Sequence, residues 1–278
     1  GGPFIAFVLS GGVADWPLMS HFKPWQQVFV LTGVPGIALA GLVFLVTEPA
    51  RQGERATGDG GGYGEALRFV GASKRLFSAI FLGFGMLYTS TISLQLWLPA
   101  YFVRVHGWTY TRVGVVLGIA QIVAALSLPV HGWIVNRFYK AGRRDAPLHW
   151  CVIAIGFAMP SIAVALLADN PWITVVMFGV YLAFILSSAS MGPAAAQVVT
   201  PHALRGRVSA IYVLSTGLIG MTVGPSLVGF ITDHVLGSPK AVGLSLLIVT
   251  ITMLLGAVLL FVRGREQMRQ VLARQEAA

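Results

Sequence analysis

Isolated polar side chains within long apolar stretches are the residues of this sequence that could bind a small molecule. Tyr88, Thr91 and Gln95 are three and four residues apart, which places them on one face of an α-helix. An aromatic ring can hold an apolar body, while amides and hydroxyls orient it, as in most small-molecule pockets. We predict a neutral binding site made of these three residues and of three residues from other apolar stretches: Gln121, Ser188 and Tyr212.

The glutamines have a second interpretation, because an amide inside a membrane protein can simply bond to a neighbouring helix. Gln95, Gln121 and Gln197 are each compatible with either role. An amide in hydrocarbon needs a partner or water, so both interpretations place these side chains inside a bundle of helices.

Catalytic and metal-binding patterns do not occur in the sequence. There are no paired carboxylates, no nucleophile next to a base and no His and Cys set with metal-ligand spacing, so we predict no catalytic residue, metal or cofactor. No Asp, Glu, Lys or Arg lies deep within an apolar stretch between residues 76 and 262, although proton relays normally need one. His131 is the one titratable candidate, and we interpret it as an interfacial histidine, while Cys151 is interpreted as packing.

The stretch of residues 204–233 shows the kind of element that positions these side chains. Arg205 and Arg207 precede 25 residues, 208–232, that carry no charge, and an α-helix needs about 20 apolar residues to cross a bilayer. Glycines that weaken a helix in water allow helices to pack closely in lipid. The predicted packing positions of this helix are Gly220, Gly224, Pro225 and Gly229.

The composition predicts an all-α polytopic membrane protein. The chain is 56% hydrophobic and only 10% charged, with a mean hydropathy of +0.77, whereas soluble domains are about 25% charged. Its net charge of +9 would suggest nucleic acid if the basic residues formed one patch. They lie instead between apolar runs, so we predict the lipid bilayer as the partner and no nucleic acid.

Eight membrane spans follow from the charge-free apolar runs. Residues 1–16 read as the second part of a helix, so we expect a fragment whose N-terminal part is missing. A Gly-rich, charged segment of residues 50–75 should be flexible. The predicted spans are residues 3–14, 26–46, 76–103, 113–135, 148–168, 172–199, 208–232 and 241–262, followed by a basic tail of residues 263–278.

The basic residues predict the orientation, because Lys and Arg accumulate in cytoplasmic loops. Fifteen of the 19 lie in alternate loops and in the tail, which we therefore assign to the cytoplasm together with the C-terminus. The four others, in the opposite loops, are Lys23, Arg104, Arg112 and Lys240.

The spans also differ in polarity. Residues 26–46, 148–168 and 241–262 carry almost only aliphatic, small and hydroxyl residues and should face lipid. The other four complete spans carry larger polar groups and should face a polar interior. Within residues 172–199, Gly192 and Pro193 should break the helix.

A loop motif resembles a known family. Residues 132–137 read GWIVNR and are followed by Gly142, Arg143 and Arg144, which is similar to the G-x-x-x-D-R-x-G-R-R pattern of the major facilitator superfamily. Asn136 stands where the pattern has Asp, and three extra residues precede Gly142. Together with residues 25–51, LWLPAYFVRVHG of residues 96–107, LRGRVSA and GPSLVGFITD, this motif resembles the Spinster-like branch.

The resemblance implies a fold with eight of twelve transmembrane helices in this chain. Residues 1–49 would end the N-terminal bundle, residues 50–75 would be the cytoplasmic linker, and residues 76–262 would form the six-helix C-terminal bundle. The chain would lie in a bacterial inner (plasma) membrane. The resemblance gives a gating role to the cytoplasmic residues Gly132, Asn136, Arg137, Gly142, Arg143, Arg144, Arg205 and Arg207.

That gating role has a specific geometric expectation. Gly132 should lie where its helix passes close to a neighbour, and Asn136 and Arg137 should lie near the start of the helix that follows Arg205. The start of a helix offers free N–H groups to an acceptor such as Asn136.

The family implies alternating access of a small organic or amphipathic solute, often with proton coupling. An intramembrane enzyme and a non-transporting scaffold are the alternatives. An enzyme would need a buried nucleophile, acid pair or metal set, and a scaffold would need no alternation of polar and aliphatic spans. The sequence favours a secondary transporter.

Overall fold

The computed structural model describes Met19, residues 21–45 and residues 62–277, and the regular secondary structure in this part of the chain is helical throughout. The predicted all-α class is therefore confirmed, and the predicted span of residues 3–14 lies outside the described residues. The α-helices are α1 (Pro24–Gly41), α2 (Tyr63–Ala72), α3 (Lys74–His106), α4 (Tyr110–Ala125), α5 (Leu128–Lys140), α6 (Ala146–Leu167), α7 (Pro171–Ile185), α8 (Ser188–Val198), α9 (Arg205–Phe230) and α10 (Val242–Ala277).

Six stretches of the described chain are long and apolar enough to cross a membrane, and they match the six spans predicted between residues 76 and 262. The predicted span of residues 26–46 is helical as α1 and continues as a 3₁₀ turn, Leu42–Leu45, but it is not among the six. The six are Lys74–His106, Tyr110–Lys140, Ala146–Leu167, Pro171–Val198, His202–Val235 and Pro239–Arg274.

Helix α3 lies at the centre of the bundle. It packs along α9 on one side and α10 on the other, while α6 packs against α7 and α10, and α4 packs against α7. The centre is filled by large apolar side chains such as Phe77, Phe102 and Phe261, which are fully buried. A buried hydrogen bond of 2.6 Å between the hydroxyls of Ser90 and Tyr181 joins α3 to α7.

Two of the six spans are broken near the middle. One changes from α4 to α5 at Leu126, and the other changes from α7 to α8 at Leu186. Serine hydroxyls compete with the backbone at both breaks: Ser127 Oγ donates to the carbonyls of Ala124 and Ala183, and Ser187 Oγ donates to that of Phe184.

The second break differs from the prediction. We expected the helix to stop at Gly192 and Pro193, but α8 runs through both residues. Because the chain already interrupts its helix at Leu186, α8 starts afresh at Ser188 and Pro193 lies only five residues into it. The span therefore breaks within the serine-rich segment, several residues before Pro193.

Two segments outside the predicted membrane spans are more ordered than their composition predicted. Residues 63–72 of the supposedly flexible linker form α2, because Ala66 is fully buried and Phe69 packs edge-on against Phe77. The basic tail is not separate either, since α10 continues from the last span to Ala277. Met268 is fully buried in this extension, so its inner face packs on the bundle.

Candidate binding pocket

A pocket of about 370 Å³ opens between α3, the junction of α7 with α8, and α9. Its volume is within the range of sites that hold small organic molecules. Five of the six residues predicted to bind a substrate line it: Tyr88, Thr91, Gln95, Ser188 and Tyr212. The sixth, Gln121, is half-buried on α4 and does not line this pocket.

Helix α3 supplies one polar stripe of the pocket. The hydroxyl of Thr91 donates to the carbonyl of Leu87, which is a common hydrogen bond for a threonine within a helix. Gln95 is half-buried, and its amide has no hydrogen-bond partner in the described chain. Tyr88 is 39% exposed, and its hydroxyl likewise has no partner there. The donors and acceptors of Gln95 and Tyr88 are thus available to a ligand.

Helix α9 supplies the opposite wall. The ring of Tyr212 is held by edge contacts with Phe81 and Phe84, at centroid distances of 5.9 and 6.3 Å. Its hydroxyl lies so close to Gly192 that a β carbon there would collide with it. Thr216, one turn further along α9, is buried and donates to the carbonyl of Tyr212.

Glycines set the distance between α9 and α3. A β carbon on Gly220 would overlap the ring of Tyr88, and one on Gly224 would lie 2.8 Å from the carbonyl oxygen of Thr89. Gly229 faces the ring of Trp97, whose indole N–H donates to the carbonyl of Pro225 over 3.1 Å. These positions, which were predicted for packing, bring the two walls of the pocket together.

Several lining residues were not predicted. Phe84 lies one turn before Tyr88 on α3, and Thr216 lies one turn after Tyr212 on α9. The same helical spacing that selected Tyr88, Thr91 and Gln95 would have found them, had it been extended to apolar and hydroxyl residues. Ile185 and Leu186 could not be found in this way, because they enter the pocket only through the break between α7 and α8.

His131 is buried rather than interfacial, which corrects the sequence interpretation. It is only 4% exposed and lies between three helices. The indole N–H of Trp150 donates to His131 Nδ1 over 3.1 Å, and Nε2 lies in hydrogen-bond contact with the Ala183 carbonyl and with Ser127 Oγ. Because Nδ1 accepts from Trp150, Nε2 is the ring nitrogen that faces the Ala183 carbonyl as a donor.

Comparison with known proteins decides the family. The model of the Major Facilitator Superfamily matches residues 1–221, which is most of the chain. The chain belongs to the Major Facilitator Superfamily. Within the described residues, no three His, Cys, Asp or Glu side chains come together as a metal site would require.

Related proteins extend this result. The chain is 28% identical over 187 residues to an uncharacterized transporter, YybO, of Bacillus subtilis (strain 168), covering 66% of this chain and 41% of that protein. Crystal structures of a bacterial homolog to the human lysosomal transporter Spinster, both inward-facing, superpose with TM-scores of 0.58 (unoccupied) and 0.54 (occupied).

The sequence identities of these two structures to the chain are 17% and 18%. The alignments include 98% and 97% of this chain, and 64% and 62% of the solved chains. At such identities the likeness is one of fold. The chain spans about two fifths of the curated relative and less than two thirds of the solved structures.

The loop motif of this major facilitator is arranged differently from the expectation. A β carbon on Gly132 would meet no described atom within 4 Å, and Asn136 and Arg137 are exposed beside Trp133 and Lys140. Helix α5 packs against α6, and it makes no extensive contact with α9 among the described residues. The anchoring of His131 explains the difference, because it leaves the side of α5 that carries Gly132 and Asn136 exposed.

The rest of the motif lies beside a carboxylate that sequence reasoning missed. Asp145 is buried, and its Oδ2 accepts from Arg265 Nε over 2.7 Å and from Arg269 Nη2 over 2.9 Å. Burial by itself raises the pKa of Asp145, but the hydrogen bonds and charges of the two arginines lower it, to a net value of about 2. Gly142, Arg143 and Arg144 line the same surface cavity.

The remaining basic residues of the predicted motif lie at the start of α9. Arg205 is half-buried and donates from Nε to the carbonyl of Thr200 over 3.1 Å, while its Nη1 contacts the ring of His202. Arg207 is half-buried. Arg205 therefore braces the short connection between α8 and α9.

Proposed function

We propose that the chain serves in a secondary active transporter that moves a small organic or amphipathic solute by alternating access. The observation that carries the proposal is the pocket, in which an unpaired amide and an unpaired phenol hydroxyl face a mostly apolar cavity. Polar groups inside a membrane protein are normally bonded. Leaving the polar groups of Gln95 and Tyr88 unpaired is costly unless a ligand or water occupies the cavity.

The chemistry of the lining supports an uncharged or internally neutral solute. Phe84, Ile185 and Leu186 offer apolar contact, and Gln95, Ser188 and Thr216 offer neutral hydrogen-bonding groups. No Asp, Glu, Lys or Arg lines the described pocket, so a net charge on the solute would find no counter-charge in this half of the site.

Proton coupling would then depend on a group outside this pocket. His131 is a buried titratable residue within a membrane span, but its ring already accepts from Trp150 at Nδ1. A second proton, on Nδ1, would create an N–H that points at the indole N–H of Trp150, and two donors cannot bond to each other. We infer that His131 fastens α5 to α6 and α7 and takes no part in coupling.

The test compares two glutamines of the same type. The protein expressed from its complete gene is reconstituted in proteoliposomes and screened with radiolabelled neutral amphipathic solutes. For a solute that is taken up, Gln95→Ala should raise the KM about three- to tenfold, which is the cost of one hydrogen bond. Gln121→Ala, outside the pocket, should change the KM less than about twofold. Equal effects of the two substitutions would refute the site.

The orientation is tested separately by cysteine labelling. Cys151 is fully buried and should not react with a membrane-impermeant maleimide. By the positive-inside rule, Lys240→Cys should be labelled from outside intact cells, whereas Lys140→Cys should be labelled only after the membrane is opened. The reverse pattern would invert the proposed topology, with its cytoplasmic C-terminus.

A further inference from the structure

A second cavity, far more polar than the first, lies where the chain turns from α5 into α6. It measures about 540 Å³ and faces the cytoplasmic extension of α10. We name it the arginine cavity, and its lining residues are Gly142, Arg143, Arg144, Asp145, Arg265, Arg269 and Ala273. Four guanidinium groups thus surround one buried carboxylate.

The cavity lies at the level of lipid headgroups. Residues 141–145 are a short connection between two membrane spans, so they must lie where those spans leave the bilayer. Arg265 comes three residues after Val262, the last residue of the charge-free run, which is about 4.5 Å along a helix. The basic side chains of both segments therefore meet at the membrane surface that the positive-inside rule assigns to the cytoplasm.

The arginines are held in place before any ligand arrives. Asp145 accepts one N–H from Arg265 and one from Arg269, so most of their five donors each are left for another acceptor. Arg143 donates from Nη1 to His149 Nε2 over 2.7 Å and lies 5.9 Å from the ring of Phe138. Such orientation lowers the entropy that binding an anion would otherwise cost.

The charge around the cavity selects an anion. The described residues that line the cavity include four arginines and a single carboxylate, Asp145, while the nearby Glu266 pairs with Arg269 at 3.7 Å and does not line it. The planar fork of a guanidinium matches the oxygens of a phosphate. Basic pockets between transmembrane helices on the cytoplasmic side are suited to lipid headgroups.

We propose that the arginine cavity binds the phosphate group of an anionic phospholipid, which reaches it from the adjoining leaflet. Free inorganic phosphate has the same chemistry but lacks the acyl chains that would hold it at this level. The bound headgroup would join the α5–α6 connection to the extension of α10, two segments already tied by Asp145. This site is independent of the solute pocket, and its test does not use transport.

Lipid binding can be measured by native mass spectrometry on the purified chain in detergent, titrated with phosphatidylglycerol. The test variant is Arg143→Gln/Arg144→Gln, since both side chains are exposed and lie outside the Asp145 contacts. The matched control, Arg137→Gln/Lys140→Gln, removes two charges from the neighbouring surface around Trp133. We expect Arg143→Gln/Arg144→Gln to raise the apparent Kd about tenfold, and the control to raise it less than about threefold.

Three outcomes would overturn the proposal. Equal losses in the two double variants would show that general surface charge binds the lipid. Equally tight binding of zwitterionic phosphatidylcholine would remove the selection for an anion. Binding of inorganic phosphate as tight as that of the lipid would make free phosphate the ligand. Arg143→Lys/Arg144→Lys, which keeps both charges but loses the guanidinium forks, should bind the lipid more weakly than the unsubstituted protein and more tightly than Arg143→Gln/Arg144→Gln, and an unchanged Tm confirms that each variant is folded.

Discussion

The solute pocket and the arginine cavity both offer hydrogen-bonding groups to a ligand, but one lies within the bilayer and the other at its surface. In the pocket, neutral groups such as Gln95 and Tyr88 face apolar side chains and keep free hydrogen-bonding capacity. In the arginine cavity, charged groups are numerous, and the one carboxylate is paired twice. The first lies within the membrane-spanning part of the helices, and the second lies where those helices end.

The difference follows from the energy of transferring each kind of group out of water. An unpaired amide in an apolar environment costs a few kcal/mol, whereas an unpaired charge costs far more. A ligand site within hydrocarbon is therefore less costly to build from neutral groups than from charged ones. Charges can accumulate only at the interface. Each of the following predictions tests one side of this contrast.

The largest effect is expected where backbone meets backbone beside the pocket. Gly224→Ala would place a β carbon 2.8 Å from the carbonyl oxygen of Thr89, which cannot move without shifting α3. We expect a loss of about 1–3 kcal/mol, as in other overpacked interiors, seen as a lower Tm in detergent. Gly217→Ala is the matched control on the same helix, because no described atom lies within 4 Å of its β carbon. An unchanged Tm for Gly224→Ala would mean that α9 and α3 are not in close contact.

The next effect concerns a polar group that is fully paired. His131→Ala removes the acceptor of the Trp150 indole and the partner of the Ala183 carbonyl, and it leaves a cavity between three helices. We expect a loss of about 1–3 kcal/mol in stability and an unchanged pH dependence of transport. If transport by the folded variant no longer depended on pH while its Tm stayed the same, His131 would take part in proton coupling and would not serve only to hold the helices together.

A smaller effect is expected at the charged side of the contrast. The pKa of Asp145 is lowered from 3.8 to about 2 in the folded protein, so its contribution is present above about pH 4 and is lost as the pH falls towards 2. The contribution is about 1–2 kcal/mol, because Arg269 is nearly half exposed and partly screened. Asp145→Asn should lower the Tm at neutral pH, and this difference from the unsubstituted protein should shrink between pH 4 and 2. A difference that is independent of pH would exclude the carboxylate as its source.

The spans and most of the pocket could be predicted from the sequence because both depend on local patterns. Charge-free length identifies a membrane helix, and spacings of three and four residues place Tyr88, Thr91 and Gln95 together on α3. The pairing of α3 with α9 was also foreseeable in part, since Gly220 and Gly224 mark a close approach on one partner.

Features that depend on contacts distant in the sequence could not be predicted in this way. Whether Gln121 shares the site of Gln95 depends on how α4 packs against α7, which no local spacing encodes. Asp145 and Arg269 are 124 residues apart, so their pairing and the ordered extension of α10 became visible only in the fold. The position of Gly132 depends in turn on the buried contacts of His131, its neighbour on α5.

The smallest effect on stability is expected at Tyr88, and a comparison with Tyr181 distinguishes a hydroxyl that binds solute from one that packs. The hydroxyl of Tyr88 has no partner in the described chain and lines the pocket, whereas that of Tyr181 is fully buried against Ser90 at 2.6 Å. Tyr88→Phe should therefore change stability by less than about 0.5 kcal/mol, while Tyr181→Phe should cost about 1–2 kcal/mol because it leaves the Ser90 hydroxyl unpaired. For a transported solute, the order should reverse, with Tyr88→Phe raising the KM and Tyr181→Phe leaving it nearly unchanged. If Tyr88→Phe lowered the Tm as much as Tyr181→Phe does, its hydroxyl would be part of the packing, and the pocket would lose one of the two unpaired groups on which the proposed site rests.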